Sequence, residues 1–247
     1  MSIQLGSGSP IFSTAPWLTI IVGHYGVGKT NLSLNIARDL RALGNKVTLI
    51  DLDIVNPYFR STDNRDFVEQ RGIRLLGPVH GATNLDTPSL PPGINEALSA
   101  AGEGHAVIVD VGGDPDGARA LGRYAAHIKA LPHRMVDVVN FSRPEMASVK
   151  DNLELLSATE LTSGLAHTEI VGNTHLKNLT TAELILASVA PTIEFSQQAH
   201  LPLAGITAPR ALVAELEALL AADIATIGVP VYPVDVIVGT SWEDLTT

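Results

Sequence analysis

The sequence predicts a doubly wound α/β fold: three layers, with a mostly parallel sheet covered by helices on both faces. Three observations carry that prediction. Short Val- and Ile-rich runs recur along the 247 residues, segments with helical spacing lie between them, and a glycine-rich turn joins the first run to the first helix.

Eight segments read as strands, at 17–23, 46–53, 73–77, 105–112, 136–141, 169–175, 201–206 and 229–238. Several are apolar on both faces, as parallel strands buried under helices must be. The first helix follows Thr30, where Leu32, Ile36, Leu40 and Leu43 fall on one face and Gly44 supplies a stop. A second spans 151–161, carrying Leu153, Leu155, Leu156 and Leu161, with Pro144 as an upstream opener. A third covers 211–224 after Pro209. Residues 17–247 read as a single domain and 1–16 as a flexible leader. The Pro/Gly-rich stretch 77–93 is the one long irregular segment, either a functional loop or a surface excursion.

Composition removes several function classes. The formal charge of -10, with no Lys/Arg cluster, argues against nucleic-acid binding, which needs a basic face. No cysteine is present, so disulfides, iron-sulfur ligation and thiolate metal transfer are excluded for this chain. No run of about 20 uncharged apolar residues occurs, and the tail from Val236 is acidic. The opening stretch has no basic residue and no apolar core, unlike a signal peptide. A soluble, cytoplasmic protein that binds no membrane is expected. Only 17% of residues are charged against about 25% typically, so some apolar surface is expected to meet a partner.

The chemistry starts at residues 23–31, Gly23, His24, Tyr25, Gly26, Val27, Gly28, Lys29, Thr30 and Asn31. Gly23, Gly28, Lys29 and Thr30 fit G-x-x-x-x-G-K-[ST], between a strand and a helix, the context this phosphate-binding loop requires. Successive backbone N–H groups curl around a phosphate, and glycines serve where a Cβ would collide or φ must be positive. The helix start beneath favours the anion. Lys29 can reach the β- and γ-phosphates, and the Thr30 hydroxyl can ligate Mg²⁺.

Two later strand ends carry acids. Asp51 and Asp53 close the second strand, two apart and so on one side of it; Asp110 closes the fourth, with Gly112, Gly113 and Asp114 following. Mg²⁺ keeps several waters and needs one or two carboxylates, for which Asp53 and Asp110 are the candidates. Asp116 reads as a helix cap or solvated loop residue.

In their order, "GHYGVGKT", "DLDIVNPYFR" and "DVGGD" resemble the MinD/ParA branch of P-loop ATPases, which also contains the nitrogenase iron protein and the CobQ/CobB group. The resemblance spans roughly Trp17 to Pro209. It implies ATP and Mg²⁺ as cofactors and a nucleotide-dependent homodimer released by hydrolysis. It assigns Lys29 to the phosphates and Thr30 to Mg²⁺. It places Asp53 near the attacking water, Asp110 and Gly113 in the second switch, and Asp114 where an acid orients water. Asn173 falls where a base-recognising residue stands, and Pro209 where a loop packs on adenine.

The family's loop has a first lysine that reaches the partner subunit's phosphates, and His24 occupies that slot. By analogy with arginine fingers, such a charge is worth about 10³ to 10⁵ in rate. Slow hydrolysis is therefore expected unless Arg60, Arg119 or a partner protein supplies a cation. Tyr58 and Phe59, beside Asp53, read as a nucleotide-gated partner surface or as a plug anchoring the loop. Three functions follow as candidates: a dimeric ATPase switch acting on a protein partner, an ATP-dependent small-molecule kinase or ligase resembling dethiobiotin synthetase, and a nucleotide-binding scaffold that barely hydrolyses.

Overall fold

The computed structural model describes residues 12–53, 64–77, 92–222, 224, 226 and 228–238. Tyr58, Phe59, Arg60, most of the 77–93 stretch, most of the leader and the tail beyond 238 lie outside them.

Among the described residues eight strands form one sheet: β1 (Leu18–Val22), β2 (Lys46–Asp51), β3 (Arg74–Leu76), β4 (His105–Asp110), β5 (His133–Val139), β6 (Glu169–Gly172), β7 (Leu203–Pro209) and β8 (Val231–Val234). Their spatial order is β3-β2-β4-β1-β5-β6-β7-β8. Every strand pairing is parallel, so the sheet is more uniform than the "mostly parallel" expectation. All eight expected strands form. β5 begins at His133 rather than 136 because His133, Arg134 and Met135 pair with Leu18, Thr19 and Ile20. β7 runs on to Pro209, where it pairs with Val234 of β8.

Among the described residues eight α-helices cover the sheet: α1 (Lys29–Ala42), α2 (Arg65–Glu69), α3 (Ile94–Ser99), α4 (Pro115–Gly122), α5 (Ala125–Lys129), α6 (Val149–Ser163), α7 (Ala182–Ala199) and α8 (Val213–Ala221). Sequence spacing foresaw α1, α6 and α8. The 18-residue α7 escaped it, because Pro191 stands inside the helix and polar Ser188 and Thr192 interrupt its buried stripe. Both hydroxyls are satisfied within the helix, Ser188 donating to Ile185 O at 2.6 Å and Thr192 to Ser188 O at 2.7 Å. Thr181 caps the helix, its hydroxyl accepting from Leu184 N.

Alternation along the central strands feeds a core on each face. Ile21, Leu49, Ile108, Val136 and Val138 pack under Leu32, Leu34, Ile36 and Leu40 of α1. Leu18, Ile20, Val22, Val107, Val109 and Met135 pack under Leu121 and Ile128 on the opposite face. Each such side chain contributes about 1.5–3 kcal/mol on burial, so α1 alone is held by on the order of 6–12 kcal/mol of gross apolar burial. This fixes the helix start, and with it the loop that precedes it. The chain leaves β1 for β2 on one side and later fills β5 on the other, so a crevice opens beyond the carboxyl end of β1. Ligands of open α/β sheets bind at such a switch point.

Candidate functional site

The loop at that crevice is built from glycines with positive φ. Gly23 (φ 136°) turns the chain out of β1, and a Cβ there would lie 2.3 Å from Val138 O. Gly28 (φ 90°) precedes α1, and a Cβ there would lie 2.3 Å from Asn173 Nδ2 and 2.9 Å from His175 Nε2. Between them Val27 is buried in the α1 core and anchors the loop. No side chain caps α1. Its first-turn amides and positive dipole end therefore suit an anion, which is the fit a bound polyphosphate needs.

Lys29 is buried, and its Nζ donates to His24 O at 2.9 Å. Burial lowers its pKa, and the opposing pull of Asp110, Asp53 and Asp114 only partly compensates. Lys29, Thr30 and Asp53 line a pocket of about 340 Å³. Thr207 and Pro209 from β7, with the apolar Val234, Val236 and Val238, line it as well. Among the described residues no three His, Cys, Asp or Glu side chains converge on a metal site. A Mg²⁺ carried in on phosphate oxygens needs less, and Thr30 with Asp53 would hold it, supplying charge neutralisation to the phosphates.

The other predicted residues sort differently. Asp110, 1% exposed at the end of β4, does not line the pocket and accepts from Ser33 Oγ at 3.4 Å. Asp114 is the N-cap of α4, its carboxylate accepting from Gly117 N at 2.7 Å, and it lines a separate cavity of about 70 Å³ between α4 and α6. Of the two readings given for Asp116, helix cap or solvated residue, the cap falls to Asp114 and Asp116 is solvent-exposed. Asp116 pairs on the surface with Arg119, which leaves Arg119 away from the pocket. Gly113 packs on the loop itself, where a Cβ would come 2.5 Å from Tyr25 N and 2.6 Å from Lys29 Nζ. Tyr25, 52% exposed, and Gly26 line the pocket, whereas the His24 ring turns to Tyr25 O at 3.0 Å.

Asn173 lines the pocket, but much of its amide is already committed. Nδ2 donates to Val27 O at 2.6 Å and Oδ1 accepts from the Thr207 hydroxyl, so Asn173 ties the loop to β7. Asn31 accepts from Ile237 N at 2.8 Å and donates to Asp235 O at 2.9 Å, clamping the segment after β8 onto α1. Pro209 also lines the pocket. Sequence reasoning missed His175 and Arg143, which line the pocket from loops after β6 and β5. The available signal was their position, since each follows a strand end on the same side of the sheet as the phosphate loop.

Two groups near the loop, partly buried His175 and buried Asp137, titrate in opposite senses. Burial, aided by the charges of Arg143 and Lys177, lowers His175 to about 4. Burial is also the main cause raising Asp137, the β5 neighbour of Val22, to about 6. The stability from His175 is complete above 6.5 and is lost as pH falls toward 4. That from Asp137 is complete below 3.8 and is lost as pH rises through about 6. Each amounts to on the order of 3 kcal/mol, so between pH 4 and 6 the pair nearly cancels. Asp137→Asn is expected to raise stability at pH 7 by about 1–3 kcal/mol and to unmask a fall on acidification. Urea titrations from pH 4 to 7 check this, and parallel curves for variant and parent would refute it.

A glycine loop opening α1, with acids at the tips of β2 and β4, defines a P-loop nucleotide-binding protein. The chain belongs to the CobQ/CobB/MinD/ParA nucleotide binding domain family (CbiA), which matches residues 18–237. No curated protein sequence matches significantly. Among solved structures, the signal recognition particle receptor FtsY from Elizabethkingia anophelis in complex with GDP is similar at TM-score 0.52 and 20% identity, over 81% of this chain and 60% of that one. The signal recognition particle 54 kDa protein from Aeropyrum pernix K1, also with GDP, is similar at TM-score 0.50 and 18% identity, over 79% of this chain and 43% of that one. The aligned part is less than two thirds of either neighbour's length, and the likeness shows the fold. Among the described residues no helix is long and apolar enough to cross a membrane.

Proposed function

We propose that this chain is a cytoplasmic ATP- and Mg²⁺-binding switch that hydrolyses slowly, dimerises with nucleotide and acts on a protein partner. The observation that carries the reading is one pocket lined both by Lys29, Thr30 and Asp53 and by the apolar side chains of Pro209, Val234, Val236 and Val238. A polyphosphate needs the first and a base the second. Slow turnover follows from His24 standing where the family's trans-acting lysine would be. Family membership supports the dimer and adenine over guanine.

Calorimetry with ATP and GTP, phosphate release with Mg²⁺ or EDTA, and light scattering test this together. Tighter ATP binding, slow Mg²⁺-dependent release and an ATP-induced dimer are expected, and Asp53→Asn should retain binding while release falls. ATP binding that leaves a monomer unchanged would remove the switch. Turnover strongly stimulated by a small carboxylate or amine would favour the kinase or ligase reading.

A further inference from the structure

We propose that Arg143 is the phosphate-gripping cation of this site, supplied by the same subunit where the family's loop lysine is absent. The inference rests on the reading of the pocket as a nucleoside polyphosphate site. Its ground is where the guanidinium lies and what it lacks. A Cβ built at Gly26, whose φ is 75°, would stand 3.4 Å from Arg143 Cζ and Nη2 and 3.7 Å from Nε, so the guanidinium rests directly on the phosphate loop. Arg143 lines the same pocket as Lys29, Thr30 and Asp53. Among the described residues its buried Nε has no hydrogen-bond partner and no carboxylate pairs with it. A buried Nε–H without an acceptor is unfavourable, and an anion in the pocket would relieve it.

The backbone beneath is firmly tied, which makes Arg143 a positioned group. Arg143 N donates to Asn140 O at 3.1 Å, Met146 N donates to Arg143 O at 3.0 Å, and Pro144 opens a short 3-10 turn there. Asn152 Nδ2 in turn holds Met146 O at 2.9 Å. Arg119 and His24, the other candidate cations, are less well placed. Arg119 is spent on Asp116 at the surface, and the His24 imidazole faces Tyr25 O. A guanidinium also presents a planar fork that matches two phosphate oxygens, which a lysine cannot do. With Gly26 below it, the fork is placed to meet the outer phosphates of a nucleotide whose inner ones sit in the loop amides.

The test is a ladder of ligands, ATP, ADP and AMP, titrated into parent, Arg143→Gln and Arg143→Lys by calorimetry, with inorganic tripolyphosphate as a base-free probe read by thermal shift. Arg143→Gln is expected to weaken ATP and ADP about 10- to 100-fold while leaving AMP within about twofold, the scale of charge-assisted hydrogen bonds. Arg143→Lys should recover part of the loss by keeping the charge without the fork. Equal weakening across the ladder would mean a merely structural role, and no weakening would mean no role; either overturns the proposal. If the parent bound no adenine nucleotide, the ATP reading would fail. Tripolyphosphate would then decide for Arg143, by stabilising the parent and not Arg143→Gln, or against it by treating both alike. Should Arg143→Gln not fold, Arg143→Lys reads the same ladder with a smaller loss.

Discussion

Lys29→Met is expected to abolish nucleotide binding while leaving the nucleotide-free fold at least as stable as the parent. The two halves have one cause. Lys29 is 7% exposed, and burial outweighs the attraction of Asp110, Asp53 and Asp114, so its charged form is disfavoured in the folded chain. Methionine fills the same slot without a charge to desolvate. The acids lose a cation, but that attraction is already counted in the net downward shift of Lys29. A phosphate about 4 Å from the ammonium gains on the order of 4 kcal/mol at an effective dielectric near 20, so its loss is worth about 10³-fold in affinity. Calorimetry and urea unfolding on the same preparation read both. A destabilised Lys29→Met would show that the three acids depend on the ammonium more than burial opposes it.

The same pattern recurs around the loop. Lys29 and His175 are pushed toward their neutral forms and Asp137 holds its proton to about pH 6, all by burial within reach of one glycine turn. Stability is given up there for a site poised to receive charge, the trade expected where function rather than packing selects the residues.

How much of this could be read from the residues alone depended on the range of the interaction. Strands showed as Val/Ile runs because burial on both faces leaves an unbroken apolar signal, and all eight were legible. The loop was legible because its glycines, Lys29 and Thr30 are contiguous and their spacing is fixed by the phosphate. Short helices such as α2, α3 and α5 carry too few turns for a stripe to emerge, and α7 hid behind Pro191 and two buried hydroxyls. Asn173 and Pro209 were located by resemblance, yet the bonds from Asn173 to Val27 and Thr207 could not be, since they join segments 146 and 34 residues apart. Arg143 and His175 are long-range for the same reason. Nothing local marks an arginine before a proline as resting on Gly26. The cap on α4 shows a finer limit: Asp114 and Asp116 both suit a helix start, and the backbone of Asp114 (φ -120°, ψ 170°) decides between them.

Gly28→Ala is expected to cost about 2–4 kcal/mol and to weaken nucleotide binding about 100-fold or more. Two penalties add at this position, and the chain contains a means to separate them. The first is conformational, since φ of 90° disfavours any residue with a Cβ. Gly44 has φ 91° with nothing within 4 Å of where a methyl would stand, so Gly44→Ala carries that penalty alone, about 1–2 kcal/mol. The second is steric: at Gly28 the methyl meets Asn173 Nδ2 at 2.3 Å, and Asn173 is held by both Val27 O and Thr207. It cannot yield without releasing the loop from β7, which displaces the amides that cradle phosphate. Urea unfolding of the two variants side by side gives the steric part as their difference. Equal costs would mean that Asn173 moves freely, and that the tie between β7 and the loop does not shape the site.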